Sequence, residues 1–196
     1  RKGLSVSMPE FPTKDALSET INFLKMHKLY YPFVLAASTI ILFFLYRPAF
    51  LVVSFIALGI VSRIHQRFLR GISIGFETII FGMAVTGMLY GPWPAVLIGL
   101  IALPISVVYT EEDVKWMPVA LGGMILTGFL AGTLPAMNIL MLGMVLTLVY
   151  DVTTCAVYLF VFRSRIFTTM LFAASHLTFN YLLFSRFGET VLSMLV

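Results

Sequence analysis

The chain has 196 residues, 60% of them hydrophobic and only 11% charged, with a mean hydropathy of +0.99. Soluble domains carry about 25% charged residues, so this composition excludes an ordinary water-soluble protein and points to an integral membrane protein. The net charge of +4 sits in short clusters beside apolar segments, the pattern of membrane topology, and no nucleic-acid partner is expected.

At about 20 residues per span, the length holds six or seven transmembrane helices in an all-α, polytopic membrane helix bundle with almost no soluble domain. Residues 1–29 are the one markedly polar stretch, and residues 30–196 form the transmembrane domain. Leu17, Ile21, Leu24 and Lys28 fall at helical spacing, which suits an amphipathic helix lying in the membrane interface. A frayed polar tail is the other reading. No apolar run followed by a small-residue cleavage site occurs there, so no cleaved signal is expected.

Two short apolar segments follow, residues 31–46 and 48–62, separated at Arg47-Pro48. A hairpin of two thin spans gives seven crossings in all; one broken, tilted helix gives six. The cluster Arg63, His65, Arg67 and Arg70 closes this pair. The third span is expected over residues 72–89, ended by Tyr90-Gly91-Pro92-Trp93-Pro94, and the fourth over 94–109. Gly87 and Gly91, and again Gly128 and Gly132, have the G-x-x-x-G spacing that lets helices approach closely.

Thr110 precedes Glu111, Glu112 and Asp113, and reads as an N-cap with acidic residues in the first turn. The fifth span is expected over 117–134, the sixth over 137–162 and the seventh over 166–184. With seven spans, Lys14, Lys25, Lys28, the Arg63 cluster, Lys115, Arg163 and Arg165 share one side, against Arg47 and Arg186 on the other. The positive-inside rule then puts the N-terminus in the cytoplasm of a multi-pass cell-membrane protein. Cys155, the single cysteine, lies inside an apolar segment with no intrachain partner.

The candidate site is the polar content of the last two spans. Asp151 lies 13 residues before Ser164 and His176 lies 12 after it, so in an antiparallel pair both stand roughly 18 to 20 Å from the turn. Asn180 follows His176 on the same face; Thr147, Asp151, Thr154 and Tyr158 line the facing one. Glu77, about 10 Å into the third span, either faces the same cavity, or pairs with an arginine or reaches interfacial water. Asp151, Thr154, His176, Asn180 and Glu77 are therefore the candidate substrate-binding residues, because ionisable groups within spans mark functional sites by default. A structural clamp of interhelical hydrogen bonds, each worth about 0.6 to 2 kcal/mol, is the competing reading. Three scattered histidines and one cysteine give no metal box, no P-loop or nucleophile elbow occurs, and no cofactor is expected.

The run Leu89-Tyr90-Gly91-Pro92-Trp93-Pro94-Ala95, then Tyr150-Asp151, then His176-Leu177-Thr178-Phe179-Asn180 resembles the substrate-binding (S) subunits of energy-coupling-factor transporters. That resemblance implies capture of a micronutrient by the last three helices, contacts from Asp151, His176 and Asn180, and docking to a transmembrane coupling subunit with two ATPases. Glu111-Glu112 and His176-x-x-x-Asn180 are also similar to two motifs of the glutamate-type CAAX-processing intramembrane proteases, which implies a glutamate base and a histidine activating water. A third class is a structural or accessory subunit of a larger membrane complex.

Overall fold

Prolines open three of the helices, at positions where the missing N–H would have no intrahelical acceptor. They stand in the first turns of α1 (Arg47–Ser62), α3 (Pro92–Thr110) and α4 (Met117–Thr133). The remaining helices are α2 (Ile79–Tyr90), α5 (Ile139–Phe160), α6 (Ile166–Leu183) and a short α7 (Glu189–Leu195). Short 3₁₀ turns lie at Ile64–Arg67 and Val114–Trp116. This computed structural model describes residues 31–32, 34–41, 46–69, 74–134 and 136–196, with no strand among them. The expected interfacial helix lies outside the described residues, as do residues 42–45; at the expected join Tyr46 is non-helical and α1 begins at Arg47.

The chain forms two units, Arg1–Leu45 and Tyr46–Val196. In the first, residues 31–32 and 34–41 are helical. The second is an all-α bundle in which five helical stretches are long and apolar enough to cross a membrane, with the shorter apolar α2 beside them. Its exterior is apolar: Leu97, Ile101, Ile105 and Val108 form an exposed stripe along α3, and Met141, Leu148 and Val152 one along α5. Its interior holds Glu77, Thr86, Thr127, Thr147, Asp151, His176 and Asn180, all buried. An apolar exterior, with polar residues confined to the interior beside an apolar core, is the distribution a bilayer favours.

The two ends of the bundle are tied differently. At one end Arg63 meets Glu112, Arg67 meets Glu111, and the Trp116 ring lies 4.5 Å from that of Phe162. At the other, backbone packs on backbone. Gly91 turns between α2 and α3 at φ +85, a conformation L side chains rarely adopt. A Cβ at Gly132 would lie 2.1 Å from the Pro92 nitrogen, and one at Gly128 would lie 2.8 Å from the Val96 backbone. The second G-x-x-x-G is thus a seam between α4 and α3.

Three expectations are corrected. The third span does not run as a helix from residue 72. Residues 74–78 are non-helical and the helix starts at Ile79. Neighbouring side chains satisfy the backbone there instead: Gln66 Nε2 donates to the Ile74 carbonyl at 3.2 Å, Gly75 N–H donates to Ser175 Oγ at 2.9 Å, and Thr78 N–H donates to Ser62 Oγ at 3.1 Å. Second, Thr110 is the last residue of α3 and not an N-cap. The cap of the following turn is Asp113, which accepts from the Lys115 N–H at 3.2 Å. Third, the last helix does not stop near residue 184. It continues through a π turn, Phe184–Gly188, into α7, and the Phe184 ring fills the space where Gly143 has no side chain.

Asn138 caps α5, accepting from the Met141 N–H at 2.8 Å. Asn138→Ala is expected to cost about 1 kcal/mol, seen as a lower melting temperature in detergent with unchanged helix content.

Candidate functional site

A chain of ionisable side chains enters the bundle from the charged end. Arg63, directly after the last residue of α1, bonds Glu112 with Nη2, 2.9 Å from each carboxylate oxygen. Its Nη1 donates to Glu77 Oε2. The other Glu77 oxygen faces His176 Nε2 at 3.6 Å, and His176 Nδ1 lies 2.6 Å from Asp151 Oδ1. Glu77 and His176 are both fully buried. Three carboxylates and one guanidinium sum to a formal charge of −2; a proton on His176 makes it −1. Phe172 stacks on the imidazole at 5.4 Å and Tyr150 meets it edge-on at 5.6 Å, which fixes the ring plane.

This arrangement follows from local sequence. The short Arg163-Ser164-Arg165 connection makes α5 and α6 antiparallel, and nearly equal counts from Ser164 bring Asp151 and His176 level. Glu77 reaches them because the non-helical segment carries Gly75 against the His176 backbone, where a Cβ would lie 2.3 Å from the His176 Cβ. His176 Nδ1 pairs with Asp151 Oδ1, and Nε2 and Glu77 Oε1 face each other without a hydrogen bond. A proton placed on either atom turns that approach into an attraction.

Beside the chain lies a half-open cavity of about 640 Å³. The buried Tyr150 and Thr154 lie at its inner part; Trp116, Tyr158 and Phe172 form aromatic walls; Arg165, Ser164 and the Glu111–Asp113 turn, with Arg63 bonded to Glu112, stand towards the mouth. Glu111 of this rim, at φ 59, and Arg163, which precedes the rim residue Ser164, at φ 53, are non-glycine residues in the left-handed region, a strain that tends to gather at functional sites. Hydrogen bonds from the Lys115 side chain and backbone hold the Asp113 carboxyl below its ordinary pKa.

The five candidate residues divide between cavity and scaffold. Thr154 lines the cavity, although its hydroxyl donates to the Tyr150 carbonyl at 2.7 Å. Asp151, His176 and Glu77 stand together behind the wall as one hydrogen-bonded and ion-paired chain. Asn180 lies one turn on, donating to the His176 carbonyl at 3.0 Å while its Oδ1 has no partner among the described residues. Of the two open readings of Glu77, the pairing with an arginine is the one seen: it meets Arg63 and approaches His176, and it does not line the cavity. Glu111 and Glu112 do not meet His176; Arg67 and Arg63 engage them at the mouth. Sequence reasoning missed Arg63, Tyr150 and Phe172. For Arg63 the available signal was its position directly after the apolar run, one turn ahead of the other arginines. Among the described residues no group of three His, Cys, Asp or Glu is placed to hold a metal ion.

No protein-family model, curated protein or solved structure matches this chain.

Proposed function

We propose that this multi-pass membrane protein binds a small solute in the cavity walled by α3, α5 and α6, with the charged end in the cytoplasm. The observation that carries the reading is the half-open cavity of about 640 Å³ against a buried polar chain. Ligand sites are typically clefts of about 300 to 1,000 Å³ with a few convergent polar groups. The non-helical segment 74–78 adds support, since backbone at membrane depth departs from a helix only where protein or a cavity surrounds it, and broken helices recur at transporter binding sites. Excess Lys and Arg at the cavity end favour a cytoplasmic opening. On this reading the Arg63–Glu77–His176–Asp151 chain sets the shape and charge of the inner wall, and the cavity residues touch the solute. The resemblance to energy-coupling-factor S subunits fits this role, with a transmembrane coupling subunit and ATPases as the partners it would serve.

The test is native mass spectrometry of the full chain released from lipid nanodiscs. A small molecule retained at one per chain, and lost in Thr154→Trp and Ala120→Trp, two separate fillings of the cavity, is the expected result. A stoichiometric protein partner with no small molecule, assembling equally well with both variants, rejects solute binding in favour of an accessory subunit.

A further inference from the structure

Resting on the solute-binding reading, we infer the class of solute: a flat, rod-shaped acid with its anionic group at the cavity mouth and an uncharged acceptor, such as a carbonyl oxygen, at the inner end. Charge decides the mouth. Each acidic side chain there already has a cation: Glu111 has Arg67 at 3.4 Å, Glu112 has Arg63 at 2.9 Å, and Asp113 has Lys115 at 2.8 Å. Arg165 lines the same mouth and has no carboxylate partner among the described residues. The hydroxyls of Ser164 and Thr168 line it too, also without a hydrogen-bond partner among the described residues. They flank the first turn of α6, which has no side-chain cap and carries the positive end of the helix dipole. The mouth therefore offers surplus donors and one surplus positive charge.

The inner end asks for something different. Tyr150 lines the cavity with no hydrogen bond to its hydroxyl among the described residues. A solute acceptor group gives that donor a partner. The neighbouring ionisable chain already carries a formal −2 or −1, so a second anion is repelled there and a neutral acceptor is favoured. Between the two ends stand the rings of Trp116, Tyr158 and Phe172, which suit a planar apolar body. From Tyr150 to Tyr158, the stretch of α5 that lines the cavity, the helix rises about 12 Å, which sets the length of the rod.

The test uses the full chain in phosphatidylcholine nanodiscs, with empty nanodiscs as background. The probe is the biphenyl acid with an acetyl group at one end and a carboxylate at the other, and the read-out is its dissociation constant. Three relatives accompany it: the methyl ester, the analogue with ethyl replacing acetyl, and the analogue with an aminomethyl cation replacing the carboxylate. The keto acid is expected to bind about tenfold more tightly than the ester and the ethyl analogue. Arg165→Gln should erase the preference for acid over ester, and Tyr150→Phe the preference for acetyl over ethyl. Equal or tighter binding of the ester or the cation, preferences that survive both variants, or no binding of any probe each overturns the assignment. If the cation binds and Thr154→Trp abolishes its binding, the acid is wrong while the cavity still binds solutes. If neither a co-purified solute nor any probe is retained, both readings fall.

Discussion

Arg63→Met is expected to cost the folded protein about 3 to 5 kcal/mol, because it leaves a buried carboxylate without its counter-charge. Glu77 is fully buried and Arg63 is 4% exposed, so water cannot replace the lost partner. Glu112 loses the same guanidinium at little cost, since its side chain is 31% exposed and can be hydrated. The effect therefore resides in the Arg63–Glu77 pair, and the double variant Arg63→Met with Glu77→Met should recover most of the loss. Melting temperature in detergent, followed by helical circular dichroism, measures both. A single variant that melts like the parent, or a double variant no more stable than the single, would show that the pair does not hold this part of the bundle.

Gly75→Ala should be nearly as damaging and should act directly on the site. The added methyl would lie 2.3 Å from the His176 Cβ, 2.8 Å from its Cα and 2.9 Å from its nitrogen. Backbone must move, since no flexible side-chain end is there to yield. Overpacking typically costs about 1 to 3 kcal/mol, and here the displacement also separates His176 from Asp151 at 2.6 Å and from Glu77 at 3.6 Å. Gly122→Ala is the control: nothing lies within 4 Å of its added methyl, and the helix interior gains up to about 1 kcal/mol from alanine. A drop in melting temperature for Gly75→Ala beside no change or a rise for Gly122→Ala is the expected pair. Equal behaviour would mean that segment 74–78 is not held against α6.

Where the chain is punctuated by proline, glycine or a short charged turn, its sequence located the helices to within a few residues. The level of Asp151 and His176 was readable because two antiparallel helices with a common rise per residue turn a count from Ser164 into a depth. Glu77 was harder. Its setting depends on a broken segment held by Ser62, Gln66 and Ser175, and Ser175 lies 100 residues from the Gly75 it bonds. An apolar run with three glycines and a serine reads as continuous helix when those partners are unknown. Arg63 was masked for another reason: orientation rules treat every arginine near a span end alike, whether it lies in water or inside the bundle. Thr110 and the acidic residues after it fit a helix start equally well as a helix end closed by Glu111 in the left-handed conformation.

The unlike fastenings of the two ends make the bundle mechanically asymmetric. Backbone contact at Gly128 and Gly132 is indifferent to salt, whereas ion pairs at exposed side chains such as Arg67–Glu111 weaken as ionic strength shortens the Debye length below about 8 Å. Raised salt on the charged side of the membrane should therefore loosen the exposed pairs that border the cavity and leave the glycine end unchanged.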